Sequence, residues 1–299
     1  MRLLTFTHNG ATRTGALRGD HIVDLNATDA GIPDEMVALL QGGDAMLDRA
    51  RAAADTGDPA IALADVHLES PILVPPRILA IGLNYESHFN EIPEEIKKKR
   101  SLGLPKTPMM FNKQNTSITG PYDDVMLPPE SPELDWEAEL GVIIGKTARR
   151  VSKADAFEVV AGYTVINDVS VRDWQRAAMT MTMGKSWDTH CPMGPTIVTK
   201  DEMPEPETLN ARTIVDGEVK QDFNTGDMLF DVASIIEYLS TAFTLQPGDV
   251  IATGTAAGVA LFAEGQPWLK EGQRVRVEIE GLGHIENLVV KDKGVSFIR

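Results

Sequence analysis

The first residues that could do chemistry are two acids, two positions apart, in Asp135-Trp136-Glu137-Ala138-Glu139-Leu140-Gly141-Val142-Ile143-Ile144. Side chains alternate along a strand, so Glu137 and Glu139 share one face, with Ala138 and Leu140 on the other. Carboxylates about 7 Å apart along a strand repel each other unless a cation lies between them. The apolar run that follows puts the pair near the core rather than on a loop tip. Oxygen-only ligands suit Mg2+, Mn2+ or Ca2+. Taken alone, the spacing fits a strand with a charged solvent face slightly better than a metal site.

Other candidates follow the same pattern of a chemical reading beside a plainer one. Asp168 ends the β-branched run Tyr163-Thr164-Val165-Ile166-Asn167, where a strand can deliver a polar residue to a site. By itself it reads better as the cap of the next turn. Arg172 and Gln175 follow three residues apart, on one face of that turn. His88 and Glu91 are also three apart, and a carboxylate beside an imidazole fixes its tautomer and suits it to act as a base on water. A surface contact is the commoner outcome of that spacing. Lys185, flanked by Gly184, can reach an anionic substrate or sit in solvent. Gly254-Thr255 follows the Pro247-Gly248-Asp249 turn, where backbone N–H groups and a hydroxyl can meet a carboxylate. The single cysteine, Cys191, has no activating partner in view and reads as structural. His190 and His284 read the same way.

The elements that must carry these residues are mostly strands. Strands are predicted at Arg2 to Thr7, Thr12 to Leu17 and His21 to Leu25, separated by the turn signals Asn9-Gly10 and Gly19-Asp20. Helices are predicted at Asp34 to Leu40 and Asp44 to Ala54. Ser70-Pro71-Ile72-Leu73-Val74-Pro75-Pro76 cannot continue a helix or a central strand. It divides a small N-terminal domain, 1–70, from a main domain, 71–299. In the main domain strands are predicted at Arg77 to Gly82, Glu137 to Gly145, Tyr163 to Asn167, Thr196 to Thr199, Ala211 to Val215, Val250 to Thr253, Arg274 to Ile279 and His284 to Val290. Helices are predicted at Lys153 to Val160 and at Asp231 to Phe243, with Asp231 as N-cap. Such a strand-dominated α+β pattern excludes a regular alternation of strand and helix. A surface helix is predicted from Pro93 to Arg100, with Pro93 at its first position, acids in its first turn and bases in its last. Glu94–Lys98 and Glu95–Lys99 are its expected ion pairs. Its basic end reads better as a solvated helix terminus than as a binding patch.

The chain has 299 residues and a formal charge of −16 from 28 basic and 44 acidic side chains. This excess argues against nucleic acid and against anionic membranes as partners. It leaves room for an anionic small molecule, because a local cation cluster can outweigh the global field. No apolar run reaches signal-peptide or membrane-span length, so a cytoplasmic protein is expected.

Taken together, five blocks in order are specific: Gly-x-Asn-Tyr-x-x-His-x-x-Glu (82–91), Asp-Trp-Glu-x-Glu-Leu-Gly (135–141), Asn-Asp-Val-Ser-x-Arg-x-x-Gln (167–175), Gly-Lys-Ser-x-Asp (184–188) and Leu-Gln-Pro-Gly-Asp-Val-Ile-x-Thr-Gly-Thr (245–255). From about Ile78 to Leu288 the chain resembles the fumarylacetoacetate hydrolase family. Its small bacterial members look nearest, among them 2,4-diketo-3-deoxy-sugar-acid hydrolases, with acylpyruvate hydrolases and oxaloacetate decarboxylases further out. The resemblance implies a mixed β-roll, a small N-terminal domain and a homodimer. It implies Mg2+ or Mn2+ on Glu137, Glu139 and Asp168, and a catalytic dyad of His88 and Glu91. Arg172, Gln175, Lys185, Thr255 and Tyr85 fall where substrate contacts are expected, and Lys185 also serves catalysis. Where one branch of the family adds an Asp to the metal, this chain reads Leu83-Asn84.

The implied reaction is hydrolysis of a C–C bond in a small anionic 2,4-dioxo acid, the ion stabilising the enolate that leaves. An isomerase or decarboxylase on the same scaffold, of oxaloacetate or hydroxyheptadienedioate type, is the alternative. A β-rich Ca2+-binding protein is a third and remote reading. The stretch between Glu91 and Met109 looks several residues longer than in the nearest relatives, which makes it the expected lid. Met179, Met181, Met183, Phe223 and Phe230 are expected in the core, or else on a pocket wall.

Overall fold

The computed structural model describes residues 1–203, 205–296 and 298. The chain opens with β1 (Arg2–His8), β2 (Ala11–Arg18) and β3 (His21–Asp24), then α1 (Leu25–Thr28), α2 (Met36–Gln41), α3 (Gly43–Thr56), β4 (Ile61–Ala62) and β5 (His67–Leu68). Next come β6 (Ile78–Gly82), α4 (Glu86–Glu91), α5 (Glu94–Arg100), β7 (Met109–Lys113), β8 (Ile118–Thr119), β9 (Val125–Leu127), β10 (Leu134–Asp135) and β11 (Ala138–Ile144). A 3-10 turn, Lys153–Val159, leads to β12 (Val160–Asn167), β13 (Ser170–Val171), α6 (Arg172–Ala177), α7 (Thr182–Lys185) and β14 (Cys191–Thr199). The last part holds β15 (Asn210–Val215), β16 (Glu218–Asn224), α8 (Val232–Ala242), β17 (Val250–Ala252), β18 (Arg274–Ile279) and β19 (Gly283–Lys291).

Twelve strands form one mixed sheet along the path β4-β3-β2-β1-β14-β12-β11-β17-β6-β7, with β5 on β1 and β8 on β14. Five more form a second sheet, β16-β15-β18-β19-β9. The strands of the first 70 residues thus enter the large sheet, since β1 pairs with β14 through Arg2↔Val198 and Leu3↔Ile197. The expected strand-dominated α+β architecture is present.

Both faces of the large sheet are covered, which explains why its central strands read as unbroken apolar runs. On β11, Ala138, Leu140, Val142 and Ile144 enter the core shared with the second sheet and α8. Ile143 faces the other way, toward the core that α2 and α3 build from Leu39, Leu40, Ala50 and Ala53. By that alternation Glu139 belongs to the face of Ile143. Asp231 caps α8 as expected, its Oδ1 accepting from Ser234 N at 2.7 Å.

Three local expectations are corrected. Lys153–Val159 is 3-10 rather than α-helical. Glu137 lies just before the strand that carries Glu139. In α5 Pro93 is the N-cap, and the ion pair there is Lys97–Glu94 at 2.9 Å, one residue closer in sequence than Glu94–Lys98. Unpredicted strands include β7 and β16, whose half-polar sequences MMFNK and EVKQDFN mask their pairing.

Candidate active site

The site lies where several central strands end side by side. β11 starts at Ala138 opposite Asn167, the last residue of β12. Glu137 and Asp168 therefore flank the same point, and Asp168 N donates to Glu137 O at 2.9 Å. The Asn167 side chain holds the turn by accepting from Glu137 N at 3.0 Å. β17 and β6 run parallel beside β11 and end at the same level, delivering Gly254-Thr255 and the turn into α4. Gly254 is held at φ 98, and a Cβ there would run into Asn84 and the Ile81 carbonyl.

Glu137, Glu139 and Asp168 bring one carboxylate oxygen each within 4.8 Å of the others. All three are buried, Asp168 completely. Lys185 Nζ lies 2.5 Å from Glu137 Oε2 and 2.9 Å from Asp168 Oδ2. Lys113 Nζ lies 2.6 Å from Asp168 Oδ1 and also donates to the Lys185 carbonyl. Arg172 donates from Nε to Asp135 Oδ2 at 2.8 Å and from Nη1 to Gln175 Oε1 at 2.9 Å. Its Nη2 lies 2.7 Å from Glu137 Oε1, an ion pair without hydrogen-bond geometry.

Burial and charge separate the three acids. Burial would raise Glu137, but Lys185 and then Arg172 overcome it and hold its carboxyl down at about 2. Glu139 goes the other way. Burial, then Asp168 and Glu137, push it well above the carboxylate range, and its Oε2 has a backbone donor in Gly254 N at 2.8 Å. Burial works against charge on Lys185 too, yet Asp168 and Glu137 raise it above its ordinary value. A buried oxygen triad of which one member resists ionisation is a fit for a hard divalent cation, which would take the place of that proton. Asn84 cannot serve as a fourth acidic ligand. Its amide is occupied by Phe230 and Thr253, donating at 3.0 and 2.7 Å and accepting at 2.9 Å.

Across the cavity, His88 Nδ1 lies 2.6 Å from Glu91 Oε1, and Gly258 N donates to Glu91 Oε2 at 2.8 Å. The carboxylate is thus fixed from both sides and leaves His88 Nε2 as the free ring nitrogen. Thr255 Oγ1 accepts from Gln221 Nε2 at 2.8 Å, so its own proton is free to donate into the cavity. Gly184 packs so closely on the Gln175 backbone that a Cβ would collide with it. That contact brings Gln175 and Lys185 into one wall.

A cavity of about 580 Å³ is lined by His88, Glu137, Glu139, Arg172, Gln175, Lys185 and Thr255. Glu91 stands behind His88, and Asp168 behind Lys185. Tyr85 is not gathered with them. Its ring packs edge-on against Phe223 at 5.2 Å, and its buried hydroxyl has no partner among the described residues. Burial, then Glu139, raises that phenol well above its usual range. Phe223 and Phe230 belong to the core. Met179 and Met181 do line the cavity, as do Ile96 and Arg100 of α5. Asp168 caps no helix, since α6 begins at Arg172 without a side-chain cap. Cys191 is buried, its thiol pushed up to about 12 by that burial, and His190 is held down to about 3 by its own.

Sequence reasoning missed three supports. Lys113 ends a strand whose alternation puts Phe111 and Lys113 on one buried face. Asp135 accepts from Trp136 N, Ala260 N and Leu261 N as well as from Arg172. Gln221 joins Thr255 to the start of β11, accepting from Ala138 N at 3.0 Å. Lys113 alone had a local signal, a lysine in phase with apolar residues.

No helix among the described residues is long and apolar enough to cross a membrane. A mitochondrial oxaloacetate tautomerase of Rattus norvegicus is 41% identical over 273 residues, 91% of this chain and 85% of that one. The solved maleylpyruvate hydrolase of Sphingobium sp. SYK-6, in complex with manganese(II) and pyruvate, is 32% identical with a TM-score of 0.80. The two cover 98% of this chain and 100% of that one. A 2-hydroxyhepta-2,4-diene-1,7-dioate isomerase of Mycobacterium marinum is 32% identical with a TM-score of 0.74, over 99% and 100%. The family model for the fumarylacetoacetate (FAA) hydrolase C-terminal region matches residues 77–290, so the chain belongs to the fumarylacetoacetate hydrolase family.

Proposed function

We propose that the protein is a divalent-metal-dependent isomerase that interconverts the keto and enol forms of a 2-oxo acid of the oxaloacetate type. The observation that carries this reading is the His88–Glu91 pair, held on the wall of the cavity that contains the carboxylate triad. Mg2+ or Mn2+, held by Glu137, Glu139 and Asp168, would supply Lewis-acid stabilisation of negative charge on the acid's oxygens. The chain's own residues do the rest. His88 Nε2 takes a proton from C3, and the C–H electron pair becomes the C2=C3 bond while the carbonyl π pair moves onto the C2 oxygen. The imidazolium, steadied by Glu91, then delivers its proton to that oxygen. Ketonisation is the reverse path. Arg172 and Lys185 place positive charge beside the developing oxyanion, and Thr255 and Gln175 offer donors to the substrate carboxylate. The 41% identity to an oxaloacetate tautomerase over most of both chains supports this choice.

Cleavage of a C–C bond in a 2,4-dioxo acid is the second reading. The same dyad favours it, because His88 could take a proton from water for attack on the distal carbonyl. The likeness to a maleylpyruvate hydrolase also supports it. The test supplies enol-oxaloacetate and an acylpyruvate with Mg2+, then with chelator, and follows enol absorbance and products by NMR. Metal-dependent loss of the oxaloacetate enol without release of pyruvate supports the isomerase. Stoichiometric pyruvate from the acylpyruvate, with no effect on the oxaloacetate enol, establishes the hydrolase instead. CO2 release from oxaloacetate points to decarboxylation. A cytoplasmic homodimer accompanies this proposal, and sedimentation of the purified protein checks the dimer.

A further inference from the structure

The cavity is far roomier than a four-carbon acid requires. Its volume of about 580 Å³ falls within the range that holds drug-sized ligands. The polar groups that could hold an oxo acid are gathered at the carboxylate triad. The rest of the wall is largely apolar and includes Ile92, Ile96, Leu102, Met109, Met179 and Phe262, the last with its ring centroid 5.9 Å from that of His88. Four of these, Ile96, Leu102, Met109 and Met179, are among the chain's large apolar side chains that stay exposed. Three of the six, Ile92, Ile96 and Leu102, come from the stretch around α5. Apolar side chains gathered at one cavity, rather than scattered over the surface, mark a surface that something apolar covers.

Two cations also reach this wall. Arg176 is committed to Glu133 at 2.6 Å. Arg100 has no acidic partner among the described residues, and it is the one group there that could receive a distal carboxylate. A single exposed guanidinium against six apolar side chains makes an alkyl or aryl substituent the better match.

From this we infer that the preferred substrate is a 2-oxo acid bearing an extended apolar substituent at the end remote from its carboxylate. The α5 stretch supplies the specificity surface for that substituent. This inference rests on the isomerase reading, and it deepens that reading by naming the substrate class.

Binding and turnover are measured separately, so that the two can fail separately. The protein, loaded with Mn2+, is titrated calorimetrically with 2,4-dioxo acids of increasing straight-chain length, and turnover of each enol is followed by absorbance. The inference expects Kd to fall about fourfold for each added methylene until the arm is full. It expects Leu102→Asp and Met179→Asp to flatten that dependence. A Kd independent of chain length would overturn it. So would tighter binding of α,ω-dicarboxylates than of alkyl acids of equal length, since Arg100 would then be the reader. Graded binding without enol–keto turnover of any member would leave the substituent preference standing and remove the isomerase reading.

Discussion

Lys113→Met tests the electrostatic design of the site most sharply, because the buried lysine does not itself line the cavity yet should govern two ligands of opposite sign. Lys113 Nζ and its Asp168 partner are both completely buried, 2.6 Å apart. Leaving aside the His88–Glu91 pair, the cluster holds four carboxylates (Asp135, Glu137, Glu139, Asp168) and three cations (Lys113, Arg172, Lys185). While Glu139 keeps its proton the charge is 3 − 3 = 0; a divalent ion that displaces that proton would bring the cluster to 3 − 4 + 2 = +1, ready for an anion. Methionine keeps the apolar stem and removes the charge. Breaking a buried pair costs about 3–5 kcal/mol. Asp168 retains Lys185 at 2.9 Å, which places the cost near the lower end, about 3 kcal/mol. At about 2.1 cal/mol/K of unfolding entropy per residue, that is a fall in Tm of about 5 °C for the 299-residue chain without metal. Added Mn2+ should narrow the gap, since the ion supplies opposite charge to the same carboxylates. The variant should bind Mn2+ at least about tenfold more tightly than wild type, and should bind an anion such as oxalate about tenfold more weakly. Scanning calorimetry and isothermal titration measure all three. An unchanged Tm in the metal-free protein, or weaker Mn2+ binding, would rule out this role for Lys113.

Further outcomes follow from other contacts. Arg172→Lys cannot span Asp135, Gln175 and Glu137 at once, so kcat/KM should drop at least about a hundredfold, and full activity in the lysine variant would show that the fork is dispensable. Gly184→Ala drives a methyl into the Gln175 backbone and should cost about 1–3 kcal/mol, with Gln175 and Lys185 displaced, as urea unfolding and KM would report. His190 is held down to about 3 by burial, so the unfolded chain binds the extra proton below about 6.5, and stability falls as pH drops through that window. Between pH 7 and pH 4.5 the loss is roughly 2–3 kcal/mol, about two units at 1.36 kcal/mol each. His190→Gln should lose less over the same range, and parallel urea midpoints for the two proteins would contradict this assignment.

The legible part of the fold was the part governed by local periodicity. Alternating or unbroken apolar runs marked β1, β11, β12, β18 and β19 to within a few residues, and Asp231 marked the start of α8. Strands with half-polar sequences, such as β7 and β16, were not legible, because partners distant in sequence decide their pairing. The site divided the same way. Glu137, Glu139, Asp168, His88 and Glu91 were visible as a set because their motifs lie on or next to regular elements. Their supports were invisible because each acts across the fold. Gln221 reaches 83 residues back to Ala138 N. Lys113 reaches 55 residues forward to Asp168. Arg100 read as a solvated helix end, and only the fold places it at the cavity.

In the proposed reaction His88 moves the C3 proton of a 2-oxo acid beside a cation held by Glu137, Glu139 and Asp168. Deuterium uptake at C3 of oxaloacetate in D2O, followed by NMR with Mg2+ present, measures that step alone. Enzyme-accelerated uptake is expected, lost on adding chelator, in His88→Ala and in Glu137→Gln. Uptake that persists in His88→Ala, or that ignores the metal, would contradict it.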